Sequence, residues 1–124
     1  MDSYIYKNET YQIIGAAMSV HRTLGCGFTE KVYQEALEVE LNRENIPYVR
    51  ETPSHVQYKG IELSTEFIPD FICYDKIIVE LKAVKELDDI HRAQTINYGK
   101  VAKAAVALLI NFGETSLKYE RFGM

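Results

Sequence analysis

Between Ile61 and Lys82 the chain carries two consecutive apolar stretches with strand-like alternation, and each holds charge among its apolar residues. In the first, from Ile61 to Tyr74, Leu63, Thr65, Phe67, Phe71 and Cys73 fall on one face, and Ile68, Asp70 and Ile72 on the other. In the second, from Lys76 to Lys82, Ile77, Val79 and Leu81 share one face, and Ile78, Glu80 and Lys82 the other. Both faces of the second stretch are partly apolar, which predicts a central strand covered on both sides. That restricts the chain to layers of helix and sheet. Charges in such a place are costly unless paired or bound to a metal.

The flanking segments supply the layers. Ile13, Ala17, Val20 and Leu24 recur at helical spacing and predict a helix over Tyr11–Leu24, broken by Gly25-Cys26-Gly27. A second helix is expected over Thr29–Glu44. Its apolar stripe is Val32, Tyr33, Ala36, Leu37 and Leu41, and its wet face is Glu35, Glu38 and Asn42. Pro47 opens a strand-rich half with short strands at Tyr48–Thr52 and His55–Tyr58 and a turn at Lys59-Gly60. Asp88 is a candidate N-cap for a helix over Asp89–Lys103. Ala104–Ile110 reads as a buried strand and Ser116–Phe122 as an edge strand. The expected order is α-α-β-β-β-β-α-β-β, an α/β sandwich of mixed sheet and helices in one domain.

Bulk properties exclude several classes. The longest apolar run, Ala104 to Ile110, falls far short of a membrane span, and Met1–Lys7 does not resemble a secretory leader. Cys26 and Cys73 lack zinc or disulfide spacing, so a reducing cytoplasm is the expected setting. His21, His55 and His91 have no metal-ligand spacing. Net charge is −4, which disfavours indiscriminate nucleic-acid binding. The only basic excess lies in residues 80–103, with five basic and four acidic residues.

The embedded charges suggest a chemistry. If Tyr74-Asp75-Lys76 forms a three-residue loop, Cys73 pairs with Ile77 and Asp70 with Glu80; a two-residue loop would turn Asp70 to the opposite face. In the first register the two carboxylates converge and can hold a hard cation through oxygen, with the Leu81 carbonyl as a further ligand. Lys82 stands beside them, about 7 Å along the strand from Glu80. It can orient a water or offset charge building on a phosphate. The plainer alternative is a salt bridge on a wet face. On the helix that follows, Ile90, Gln94, Asn97, Tyr98 and Val101 share one stripe, taken as inward, with Gln94 and Tyr98 a turn apart. Glu30 borders the apolar stripe of the second helix.

Pro69-Asp70, Glu80-Leu81-Lys82 and Gln94-x-x-x-Tyr98, in this order, resemble the PD-(D/E)XK nuclease superfamily, and the last motif resembles its RecB-like branch. Gly27-Phe28-Thr29-Glu30-Lys31-Val32-Tyr33 is similar to the motif naming the GxxExxY family within it. The similarity extends through Tyr58-Lys59-Gly60 and Leu109-Ile110-Asn111-Phe112-Gly113. The resemblance implies a restriction-endonuclease-like αβββαβ core, a mixed sheet flanked by helices. It implies metal ligation by Asp70 and Glu80, with Glu30 as the acidic residue of the first core helix and Lys82 catalytic. Gln94 and Tyr98 would organise the site or contact phosphate. The expected activity is Mg²⁺-dependent (or Mn²⁺-dependent) hydrolysis of DNA. The rival expectation is an inactive module of the same fold that binds nucleic acid or a partner protein, and a homodimer is left open.

Overall fold

The computed structural model describes residues 5–124. Helices α1 (Lys7–Leu24) and α2 (Glu30–Arg43) precede strands β1 (Tyr48–Arg50), β2 (Ser54–Tyr58), β3 (Ile61–Phe67), β4 (Phe71–Cys73) and β5 (Ile77–Lys82). Helix α3 (Asp89–Val101), β6 (Val106–Asn111) and β7 (Lys118–Gly123) complete the order. Five strands form one sheet in the order β1-β4-β5-β6-β7, while β2 and β3 form a separate ribbon. Strands β5 and β6 are parallel and joined through α3; the other neighbours are antiparallel. This is the mixed α/β sheet flanked by helices that the motif order implies.

Burial explains the central position of β5. Ile77, Ile78 and Val79 are fully buried, as are Val106 to Ile110 on β6. One face packs on α1 and α2, where Ile13, Ala17, Tyr33 and Leu37 join Phe71, Val79, Leu81, Leu108 and Ile110 in one apolar core. The other face is covered by α3, which approaches closely because Gly99 has no side chain. A Cβ there would lie 2.7 Å from the Met124 sulfur and 3.3 Å from Ala107 Cβ. Asp88 caps α3 as expected, its carboxylate accepting from the Ile90 and His91 N–H groups. The His91 ring returns a bond from the Asp88 N–H, so this histidine serves the cap.

Three expectations change. The stretch Ile61–Tyr74 is two strands, because Pro69 has no N–H for a ladder and the chain leaves the ribbon there to enter the main sheet. Helix α1 starts at Lys7, four residues earlier than the apolar period indicated. Tyr6 stands before it in the left-handed region, and the Thr10 hydroxyl bonds the Tyr6 and Lys7 carbonyls. The stripe of α3 is rotated: Thr95 and Gly99 are the buried positions, Asn97 is exposed and Ile90 is 77% exposed. The close contact at Gly99 sets that rotation and leaves Gln94 and Tyr98 on a half-buried flank.

Candidate active site

The turn after β4 sets the register. Tyr74 and Asp75 both have positive φ, 54° and 62°, and the Lys76 N–H donates to the Cys73 carbonyl at 3.2 Å. Cys73 therefore pairs with Ile77, and the ladder runs to Phe71 opposite Val79. Beyond that pair, side chains take over the rungs. The Asp70 N–H donates to Glu80 Oε2 at 3.0 Å, and the Leu81 N–H donates to Asp70 Oδ2 at 2.8 Å. The two carboxylates thus meet just before β4 begins, where β5 continues past the ladder. The Leu81 carbonyl leaves the strand on the side of its own N–H, toward Asp70.

Glu80 is only 6% exposed. Burial first, and the Asp70 charge second, push its carboxyl up to about 8. Asp70 is also raised, again chiefly by burial, with the Leu81 N–H opposing. The Lys82 charge lowers both and the Glu30 charge raises both, so these two side chains act on the same site from β5 and from the first turn of α2. Lys82 is half-buried, and no ion-pair partner lies beside it among the described residues. A simple salt bridge does not account for it.

The chain after Lys82 is clamped. The Phe112 N–H donates to the Lys82 carbonyl at 2.8 Å. The fully buried Asn111 accepts from the Val84 and Gly113 N–H groups and donates to the Val84 carbonyl and the Glu114 carboxylate. Gly113 lies so close that a Cβ would sit 2.2 Å from the Val84 carbonyl oxygen. Tyr33, from the motif beginning at Gly27, stacks on Phe112 at 4.6 Å and donates to the Gly25 carbonyl at 2.6 Å. It anchors the turn from which α2 presents Glu30.

Gln94 and Tyr98 are bonded to each other. Gln94 Nε2 donates to the Tyr98 hydroxyl at 2.9 Å, and the Tyr98 ring lies 4.5 Å from that of Phe67, the last residue of β3. Arg92, in the basic stretch 80–103, is occupied by Glu120 and Asp89. Glu38, expected on a wet face, is half-buried and holds Arg50 and the Tyr48 hydroxyl. Sequence reasoning missed Gln34, whose amide donates to Asp70 Oδ1 at 3.1 Å. It also missed Glu51, whose N–H donates to the Asp70 carbonyl at 3.2 Å. The signal for Gln34 was its place one turn after Glu30 at the border of the apolar stripe.

A family model of the PD-(D/E)XK nuclease superfamily matches residues 7–122. The chain belongs to the PD-(D/E)XK nuclease superfamily. A search of curated proteins gave no match. The crystal structure of SSO0001 has a similar fold, with a TM-score of 0.59 over 98% of this chain at 15% identity. The chain spans 61% of the length of SSO0001, and the likeness is one of fold.

PD-(D/E)XK nucleases generally use divalent metals. Here the donors that meet are all oxygen, which suits a hard cation. Among the described residues no three His, Cys, Asp or Glu side chains form a closed ligand set. Mg²⁺ accepts such a sparse site because it keeps several waters. No helix of the described residues is long and apolar enough to cross a membrane.

Proposed function

We propose that this chain is a metal-dependent nuclease that hydrolyses phosphodiester bonds in DNA. The observation that carries the reading is the pair of bonds at the end of the β4–β5 ladder, Asp70 N–H to the Glu80 carboxylate and Leu81 N–H to the Asp70 carboxylate, with Lys82 next in alternation. Two neighbouring carboxyls with raised proton affinity, Glu80 buried and Asp70 half-buried, make poor structural partners. They make good ligands, since a divalent cation removes the repulsion that burial creates. Asp70 and Glu80 would hold Mg²⁺ or Mn²⁺, with the Leu81 carbonyl and Glu30 completing the shell directly or through water. The ion would supply charge on the phosphate and an acidified water. Lys82 would orient the attacking water or donate to the phosphate oxygen as charge builds there. Gln94 and Tyr98 would line the approach as in RecB-like nucleases, and the motif at Gly27–Tyr33 supports the GxxExxY assignment. We further read residues 1–124 as one nuclease-like domain acting in the cytoplasm.

Incubation with linear, circular and single-stranded DNA in Mg²⁺ or Mn²⁺ tests this. Cleavage by wild type that Asp70→Ala abolishes is the expected result. The net charge of −4 and the engagement of Arg92 by acidic partners favour a second reading, an inactive module that binds nucleic acid or a partner protein. Tight DNA binding without cleavage in either metal would establish it in place of the first.

A further inference from the structure

Gln34 is a polar side chain only 4% exposed, and nothing proposed above gives it a task. From α2 its Nε2 donates to Asp70 Oδ1 at 3.1 Å, while its Oε1 accepts from an Arg50 terminal nitrogen at 3.0 Å. Arg50 is itself anchored by the Glu38 carboxylate, which also accepts from the Tyr48 hydroxyl at 2.8 Å. A guanidinium can only donate, so the Gln34 oxygen must face Arg50 and its nitrogen must face Asp70. Glu51, at 3.5 Å from the same nitrogen, reinforces that orientation. The second Asp70 oxygen is held by the Leu81 N–H. The carboxylate is therefore gripped from α2 on one side and from β5 on the other, and it cannot turn without breaking a bond.

We propose that Gln34, aligned by Arg50, is a positioning residue that fixes the orientation of the Asp70 carboxylate and thereby sets the cation affinity of the site. This rests on the metal-binding reading of Asp70 and Glu80. An apolar residue at this position would fill the space without dehydrating an amide, so the amide is worth its cost only if its orientation matters. Outer partners that orient a ligating group typically change metal affinity by about 10–100-fold.

The test combines two measurements. Mn²⁺ is titrated calorimetrically into wild type, into Gln34→Met, which keeps length without donor or acceptor, and into Ile13→Val, a mild core deletion on α1. Gln34→Met should bind Mn²⁺ about tenfold or more weakly, with Ile13→Val unchanged. Equal affinity of Gln34→Met and wild type, or equal weakening in both variants, would overturn the proposal. In ¹⁵N-labelled wild type the Gln34 side-chain amide should resonate downfield, and it should move upfield in Asp70→Asn. This readout needs neither metal nor a folded Gln34 variant, and a resonance that stays put overturns the proposal. Wild type that takes up no Mn²⁺ would sink the metal reading, and the resonance would then decide the orientation of Asp70 by itself.

Discussion

Two antiparallel strand pairs flank Pro69, and their fates differ. The β2–β3 ribbon carries Val56, Tyr58, Ile61 and Leu63 exposed, with Ile61 at 66%. The β4–β5 pair has a similar alternation, yet Ile77, Ile78 and Val79 are fully buried. Propensity does not separate them; neighbours do. Strand β5 has β6 on its open edge and helices over both faces, whereas the ribbon makes its main helix contact through β2 and α3. A buried pair can alter the proton affinity of its carboxylates, as at Glu80. On the ribbon, Glu62 and Glu66 meet Gln57 and His55 as exposed surface partners. The carboxylate whose proton affinity is altered thus stands where burial is nearly complete.

The sharpest way to break this contrast is to make one substitution in both pairs. Ile78→Ala should cost about 2–5 kcal/mol, the range for deleting a fully buried isoleucine. Ile61→Ala should stay within about 0.5 kcal/mol, as exposed substitutions do. Urea denaturation measures both. A comparable loss at Ile61 would mean that the ribbon is covered in solution and that the contrast is false.

A second comparison sets Lys82 against Lys59. Lys82→Ala should lower DNA turnover by about 10²–10³, the loss typical of one electrostatic contact to developing charge, with cooperative unfolding retained. Lys59, which lies 5.4 Å from the Tyr58 ring at the ribbon tip, should be replaceable without effect on turnover. If Lys82→Ala instead destabilises the fold and spares cleavage, Lys82 is only a charge partner.

The third prediction concerns pH. The Glu80 carboxyl is raised from 4.5 to about 8 in the fold, chiefly by burial. Below about pH 4.5 both folded and unfolded chains hold the proton, and this group imposes no penalty. Between pH 4.5 and 8 the folded chain keeps a proton that the unfolded chain has released, so stability falls as pH rises. The full loss, on the order of a few kcal/mol, is reached above the folded value. Glu80→Gln should flatten the profile, while Glu62→Gln on the ribbon should leave it unchanged. Saturating Mg²⁺ should restore more of the wild-type melting temperature at pH 8 than at pH 5. A wild-type profile flat from pH 5 to 8 would contradict the burial argument.

How much of this was legible depended on the range of the interaction. The convergence of Asp70 and Glu80 was legible as one of two registers, and the turn at Tyr74 and Asp75 selects it by pairing Cys73 with Ile77. The central place of β5 followed from apolar residues on both its faces. The break at Pro69 was visible as a residue, but whether the strand bent or divided depended on which partner each half found. For Gln34 only its place one turn after Glu30 was readable; its reach to Asp70 depends on how α2 crosses the sheet. The rotation of α3 likewise came from Gly99 meeting Met124 and Ala107, residues outside the helix.

Tyr98 stands at the seam between the two regions, and Tyr98→Phe offers the smallest and most discriminating test. The ring, which lies against Phe67 at 4.5 Å, is kept. The hydroxyl that accepts from Gln94 at 2.9 Å is lost. If that bond only ties α3 together beside the ribbon, stability should fall by about 0.5–1.5 kcal/mol and turnover should not change at equal folded fraction. If Tyr98 and Gln94 organise the approach to Glu80, cleavage should drop by more than the stability loss explains, and most strongly at low DNA concentration. Gln94→Leu should then show the same deficit, and the double variant little more than either single one, since both break one bond. A pure stability effect would confine the Gln94–Tyr98 pair to packing and leave the proposed site to Asp70, Glu80 and Lys82 alone.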